Sequence, residues 1–451
     1  MKYNPSLHRL SNGVSVIFDP MDLETTDVTI RFNTGSRDEK PNQHGITHFA
    51  EHIFCCGTHR FPNRDSIKKY LKQNGISCDA MTGVNRLSFV GTCLPDKLGV
   101  LIDFLSDQLS DSMFDPEHIE KERGAILDER NRSLDKDDTK YNDLVDKELF
   151  GNTNTIFCSK NIGPQENIKR FTREELLFFI KSRLSANNCT IIISGKIENP
   201  EQTLQLLEEK FTFLKQFDVH ENTDIKYTPA YKHLPLPGHN NTQVNILFPM
   251  MYPVDKEHEF QNTCIGLMGS FVREKLQKCL RYDNSLVYGI TNILTGNDRL
   301  TLNGVRTQTS PDNIEKCVAL IAQTCADIYY NNTMTQEDLD SIKIARKLNN
   351  ASFLDNRSKR SERLLYYYRR DGELYDFYSD EKMEQSVTLE DLIKYTRGMF
   401  DEKNISILTT GADYNCDLMA IWRKNFKPTK SNVLLKSMNV QQIIPDDQNG
   451  M

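Results

Sequence analysis

No apolar stretch in this sequence approaches a membrane span. The longest, such as Leu176–Ile180 and Thr190–Ile193, fall far short of the roughly 18 residues needed. A basic excess is also missing: 56 Lys and Arg stand against 63 Asp and Glu, for a net charge of −7. A nucleic-acid partner, which demands such an excess on at least one domain, is therefore not expected. The opening Met-Lys-Tyr-Asn-Pro is followed by neither a signal-peptide core nor an Arg-rich transit segment, so the expected location is cytoplasmic. Paired Cys-x-x-Cys spacing is absent, and the eleven cysteines are an odd number, which fits a reducing compartment. Adjacent Cys55 and Cys56 read as small buried hydrophobes rather than two ligands of one metal. What is present is 451 residues, 38% of them hydrophobic, enough for the cores of about two to four domains.

The chain repeats itself at an offset of 216. Thr172, Glu174, Leu176, Asn188 and Gly195 recur at Thr388, Glu390, Leu392, Asn404 and Gly411 without a gap. Each copy opens with a Thr N-cap and an acid three residues on (Glu175, Asp391), the capping-box pattern. An amphipathic helix, an Asn break and a strand closed by Gly follow in both. Two related halves result, 1–215 and 238–451, joined by a linker over 216–237 where Pro229, Pro235 and Pro237 interrupt any apolar period. Strand-like runs mixed with helical ones predict an α+β fold, each half a mixed, mostly antiparallel sheet covered by helices.

The densest chemistry is His44-Gly-Ile-Thr-His48-Phe-Ala-Glu51-His52. His48 and His52 are four apart, so on a helix they project from one face. Two imidazoles so placed can share a zinc, with Glu51 beside them, in the His-x-x-Glu-His order. The bland alternative is a half-buried helix whose histidines make hydrogen bonds. A catalytic zinc takes a third protein ligand and leaves one position open. Local pattern does not select that ligand. The segment after Asp115-Pro116 reads as a helix carrying Glu117, Glu120, Glu122, Asp128 and Glu129, and most acids on such a helix are solvated. Glu122 and Glu129, seven apart, share a face.

Gly45-Ile-Thr-His48-Phe-Ala-Glu51-His52-Ile-Phe-Cys-Cys-Gly57-Thr58 resembles the zinc helix of the insulinase/pitrilysin metallopeptidase family. That family places a Glu ligand after 76 further residues, in a Glu-x6-Glu helix, and counting from His52 arrives at Glu129, with Glu122 at the accompanying position. The resemblance implies that His48, His52 and Glu129 bind one Zn2+ per chain, with Glu51 as general base and Glu122 in support. Asn74-Gly…Asp79-Ala80-Met-Thr82 is similar to the family's edge strand, where substrate adds as an extra strand. This implies substrate contacts at Ala80 and Thr82, with Asp79 replacing the usual Asn. Arg281 and Tyr288 match a second-half pair implied to touch substrate and its oxyanion, although Tyr282-Asp283-Asn284-Ser285 between them departs from the pattern. Setting Met334-Thr-Gln-Glu337 opposite Phe114-Asp-Pro-Glu117 puts Asn349 opposite Glu129, so the second half is expected to be metal-free.

The function expected is a zinc metalloendopeptidase that cuts extended oligopeptides or presequence-like peptides inside an enclosed cleft. It would act as a homodimer or as a heterodimer with a related subunit. The competing expectations are a catalytically silent partner subunit and a purely structural zinc site. Three protein ligands beside a free Glu count against the last. The family's non-catalytic processing subunit carries a Gly-rich loop that this chain lacks, so the chain is expected to be the catalytic type.

Overall fold

The apolar runs of the first half pair into a six-stranded sheet of order β1-β2-β6-β3-β5-β4. The computed structural model describes residues 3–151, 161–220, 227–249, 252–296 and 301–428. The strands are β1 (Ser6–Arg9), β2 (Ser15–Pro20), β3 (Thr26–Phe32), β4 (Ser77–Thr82), β5 (Leu87–Cys93) and β6 (Cys189–Gly195). Only β2 and β6 run parallel to each other; every other pairing is antiparallel. Helices α1 (Ile46–Phe54), α2 (Arg64–Asn74), α3 (Leu98–Ser110), α4 (Pro116–Leu134), α5 (Asp137–Phe150), α6 (Gln165–Arg170), α7 (Arg173–Arg183) and α8 (Pro200–Lys210) fill the connections.

The second half repeats this plan as β7 (Tyr231–Pro235), β8 (Thr242–Pro249), β9 (Thr291–Gly296), β10 (Thr301–Thr309) and β11 (Ser406–Gly411), in the order β7-β11-β8-β10-β9. Its helices are α9 (Glu259–Leu276), α10 (Ile314–Asn331), α11 (Gln336–Leu354), α12 (Arg357–Asp371), α13 (Phe377–Ser386), α14 (Leu389–Thr396) and α15 (Leu418–Asn425). The 216 offset holds at the level of register: Thr26 pairs with Gly195 and Cys93, and Thr242 pairs with Gly411 and Thr309. It becomes 220 at α11 (336 against 116 for α4), because α10 has 18 residues where α3 has 13 and the connection after it, 332–335, is one residue shorter than 111–115. The fold is thus the expected α+β pair of related halves. Within 216–237, read as linker, Tyr231–Pro235 instead forms edge strand β7, parallel to β11. Pro235 is tolerated there because an edge strand has one side free of ladder bonds.

Each sheet buries both faces, which is why β6 and β11 are buried at every residue. On one face each half supplies its own helices, giving cores around Phe49, Phe89 and Phe104 in the first and Phe248, Phe271 and Trp422 in the second. The other face is covered by exchange. From the first half, α5 lays Val145, Leu149 and Phe150 on Leu247, Leu302 and Leu408 of the second sheet. From the second, α12 lays Leu364, Leu365 and Tyr368 on Ile17 and Ile192 of the first. Polar contacts follow the same seam: Arg360 pairs with the buried Asp19, and Glu362 accepts from Arg31 (2.5 Å) and Arg86 (2.6 Å). Among the described residues no helix is long and apolar enough to cross a membrane, and every cysteine is free.

Candidate metal centre

Helix α1 separates its chemistry from its packing by periodicity. Ile46, Phe49, Ala50, Ile53 and Phe54 recur at i, i+3, i+4, i+7 and i+8 and are all buried. Phe49 meets Phe171 edge-on, and Phe54 meets Phe89 and Phe114 in the same way. That anchoring turns His48, Glu51 and His52 to the other side. The helix start is equally constrained: Gly45 has φ +98°, and a Cβ there would lie 2.3 Å from the Ile162 carbonyl oxygen. Buried Glu39 accepts from the Gly45 and Thr47 backbone N–H groups, both at 2.8 Å, and burial pushes its carboxyl up to about 8.

Helix α4 brings the acids. Asp115 caps it by accepting from the Glu117 N–H, with Pro116 at the first helical position. The stripe Ile119, Glu122, Ile126, Glu129 faces α1; the first three are buried, and Glu129 lies at the end of the stripe with its side chain 40% exposed. The imidazoles of His48 and His52 and the Glu129 carboxylate each offer one donor atom, all within 4.8 Å of one another. His48 Nε2 lies 3.7 Å from one Glu129 oxygen and His52 Nε2 3.4 Å from the other. Ligands bound tetrahedrally at zinc distances stand about 3.4 Å apart, so this donor set fits a zinc ion.

The surroundings prepare that set. His52 donates from Nδ1 to Glu122 (3.0 Å), which leaves its Nε2 lone pair toward the cluster. Glu122 also accepts from Arg64 (2.8 Å). Burial works to raise the Glu122 carboxyl, yet the His52 hydrogen bond and the Arg64 charge hold it below the usual carboxylate range. For His52 burial acts downward, but the hydrogen bond to Glu122 and the charges of Glu51, Glu122 and Glu129 lift it above the ordinary value. Burial, and then the neighbouring His52, push His48 down to about 3, so it is neutral at ordinary pH, as a ligand must be. Burial raises the Glu51 carboxyl against the pull of the Thr82 hydroxyl, which donates to it at 2.5 Å.

The other expected residues are placed as follows. Ala80 and Thr82 lie on β4, which ends the sheet among the described residues. The Ala80 N–H donates to Asp79 Oδ1 (2.9 Å) rather than into the ladder, so alternation aims Cys78, Ala80 and Thr82 at the open edge. Asn161 already covers the Thr82 carbonyl, at 2.9 Å. Arg281 and Tyr288 meet in the second half, the guanidinium 5.2 Å from the ring centroid, with Tyr288 91% exposed. Neither makes a hydrogen bond or ion pair with the His48–His52–Glu129 cluster among the described residues. In the second half the offsets put Cys264, Met268 and Asn349 where His48, His52 and Glu129 stand, a set with neither imidazole nor carboxylate. Sequence reasoning missed Glu39 and Arg64. Nothing local marks either, since Glu39 lies seven residues ahead of α1 and reaches its N-terminus only through the fold.

Fold and site together define a two-half scaffold carrying a His-x-x-Glu-His helix whose side chains, with Glu129, could hold a metal ion. The sequence pattern described as "Insulinase (Peptidase family M16)" matches residues 21–156, and that described as "Peptidase M16 inactive domain" matches 170–346. The chain belongs to the insulinase (M16) peptidase family. It is 31% identical over 217 residues to the mitochondrial-processing peptidase subunit beta of Dictyostelium discoideum (48% of this chain, 45% of that protein). It is 26% identical over 230 residues to an uncharacterized zinc protease of Rickettsia felis (50% and 54%). The chain thus spans about half the length of these relatives. The first half of the periplasmic protease PqqL from Escherichia coli has the same fold, with a TM-score of 0.82 at 16% identity over 94% of this chain and 97% of that one.

Proposed function

We propose that this protein is a zinc-dependent endopeptidase acting on extended peptides. The observation that carries the reading is the convergence of His48, His52 and Glu129 with Glu51 on the same helix and no second ligand role to occupy it. Zinc held by His48, His52 and Glu129 would supply Lewis-acid polarisation of a peptide carbonyl and would lower the pKa of a water. Glu51, its pKa raised, takes the proton as water attacks the carbonyl and passes it to the leaving amine. Thr82 orients that carboxylate. Glu122, braced by Arg64, fixes the His52 tautomer. The open edge of β4 receives the peptide as an added strand at Ala80 and Thr82, while Arg281 and Tyr288 contribute contacts from the second half. The relative named as a subunit of the mitochondrial-processing peptidase supports pairing with a second copy or a related chain.

The test is hydrolysis of quenched fluorescent peptides of about 10–20 residues by wild type and Glu51→Gln, with metal content measured on both. Activity lost in a Glu51→Gln protein that retains one zinc per chain supports the reading. A wild type that holds zinc and cuts nothing makes the chain a silent partner subunit. A wild type that holds no zinc overturns the metal centre itself.

A further inference from the structure

The duplication shows where the second half lacks something the first half has. In the first half α5 and α6 are joined by fourteen residues, 151–164, whereas the counterpart between α12 and α13 is five, 372–376. The described end of the longer connection lies in a groove beside α1 and α4. Asn161 bonds Ser36 and the Thr82 carbonyl, the Ile162 and Gly163 backbone lies against His44 and Gly45, and Arg130 donates to the Gly163 carbonyl (3.1 Å). The equivalent groove of the second half, between α9, α11 and α12, is left as a cleft of about 670 Å³.

Three features describe what would fill it. Asn262, which the 216 offset sets opposite Ile46, lines the cleft and buries a side-chain carbonyl oxygen with no hydrogen-bond partner among the described residues, an arrangement that calls for an N–H donor. Of the cations lining the cleft, Arg346 and Arg370 are neutralised by Glu384 and Glu259, but Lys359 and Arg363 make no ion pair among the described residues. Lys359 stands over the Phe353 ring, and Arg363 stacks on Phe353, Tyr375 and Phe377, donates to Asn350 (3.4 Å) and acts on the Asp380 carboxyl through its charge, with no carboxylate in ion-pair contact among the described residues. Finally, the cleft adjoins the catalytic half. Its wall residue Glu362 is held by Arg86, which sits in the β4–β5 hairpin four residues after Thr82.

We propose that this cleft is a second peptide-binding site, taking an extended, carboxylate-bearing segment of the same peptide whose scissile bond lies at the metal centre. The segment supplies an N–H donor beside Asn262 and a carboxylate to Lys359 and Arg363, in the place that the chain itself fills in the first half. The carboxylate comes from a Glu or Asp side chain or from a free C-terminus. This rests on the peptidase reading for the identity of the peptide, but the binding itself can be read without hydrolysis.

Labelled peptides of about 20 residues are titrated into full-length Glu51→Gln protein and followed by fluorescence anisotropy. One pair carries a Glu or Gln cluster near the N-terminus, a second pair the same cluster near the C-terminus, and a third ends in a free carboxylate or an amide. Tighter binding of one acidic member, weakened about three- to tenfold by Lys359→Ala and by Arg363→Gln, is the expected result, and the favoured pair identifies the carboxylate's source. Lys359 is exposed, so its variant folds even if loss of the Arg363 stack does not allow that one to. Equal affinity within all three pairs, or affinities unmoved by Lys359→Ala, overturns the proposal. Wild type that binds the acidic peptide but cuts none leaves this site standing and removes the peptidase reading. Cleavage indifferent to the acidic cluster does the reverse.

Discussion

Asp146 offers a sharp test of how the halves hold together. It sits on α5, the helix donated by the first half to cover the second sheet. Burial, then the neighbouring Asp143, push its carboxyl up to about 7, while Arg306 pulls the other way. Holding the carboxyl that far above its ordinary value corresponds to roughly 4 kcal/mol at most. The side chain is only half-buried, and solvent screening reduces the expected effect to about 2 kcal/mol. The sign follows from proton linkage. The folded state binds the proton more tightly than the unfolded state, so Asp146 costs nothing below about pH 4 and destabilises progressively as pH rises toward 7. Asp146→Asn removes the cost. Arg306 keeps its hydrogen bonds to Asn245 (2.8 Å) and Asn142 (2.6 Å) and the nearby charge of Asp138. Urea unfolding followed by circular dichroism at about pH 4 and about pH 8 should show the variant equal to wild type in acid and about 2 kcal/mol more stable in base. A variant less stable at high pH, or displaced equally at both, would refute the reasoning by making the Asp146–Arg306 attraction the larger effect.

Glu122→Ala should weaken zinc affinity about 10- to 100-fold, measured by chelator competition, because His52 loses the partner that fixes its ring and Arg64 is left unpaired. In Gly45→Ala the new Cβ collides with the Ile162 carbonyl at a positive φ; loss of about 1–3 kcal/mol of stability, read in urea, should accompany loss of metal. Asp19→Ala strands the buried Arg360 guanidinium at the seam and should cost about 3–5 kcal/mol. If it instead unfolds like wild type, the exchange of α12 is not held by that pair.

The site was legible in the sequence to the extent that its geometry is local. His48, Glu51 and His52 lie within five residues, and helical periodicity alone puts the two imidazoles on one face with Ile46, Phe49 and Ile53 turned inward. The Thr172 and Thr388 capping boxes are likewise set by neighbours three residues apart, and both form. Helix α4 was legible from Asp115-Pro116 and its stripe, but five of its acids were equivalent by local pattern, and only the family spacing selected Glu129.

Tertiary structure decided what no window of sequence contains. Whether Glu122 or another acid meets His52 depends on how α4 is rotated against α1, and those residues are 70 apart in the chain. The edge strand inside the presumed linker was hidden because its Pro235 is compatible with a strand only where a sheet ends. The exchange of α5 and α12 gives no local signal either, since an apolar stripe specifies that a face is buried but not which half buries it. Periodicity and capping are properties of adjacent residues and survive in the sequence. The choice of partner across 70 to 340 residues is made only when whole faces pack, because burial free energy is nondirectional and rewards any apolar surface that fits.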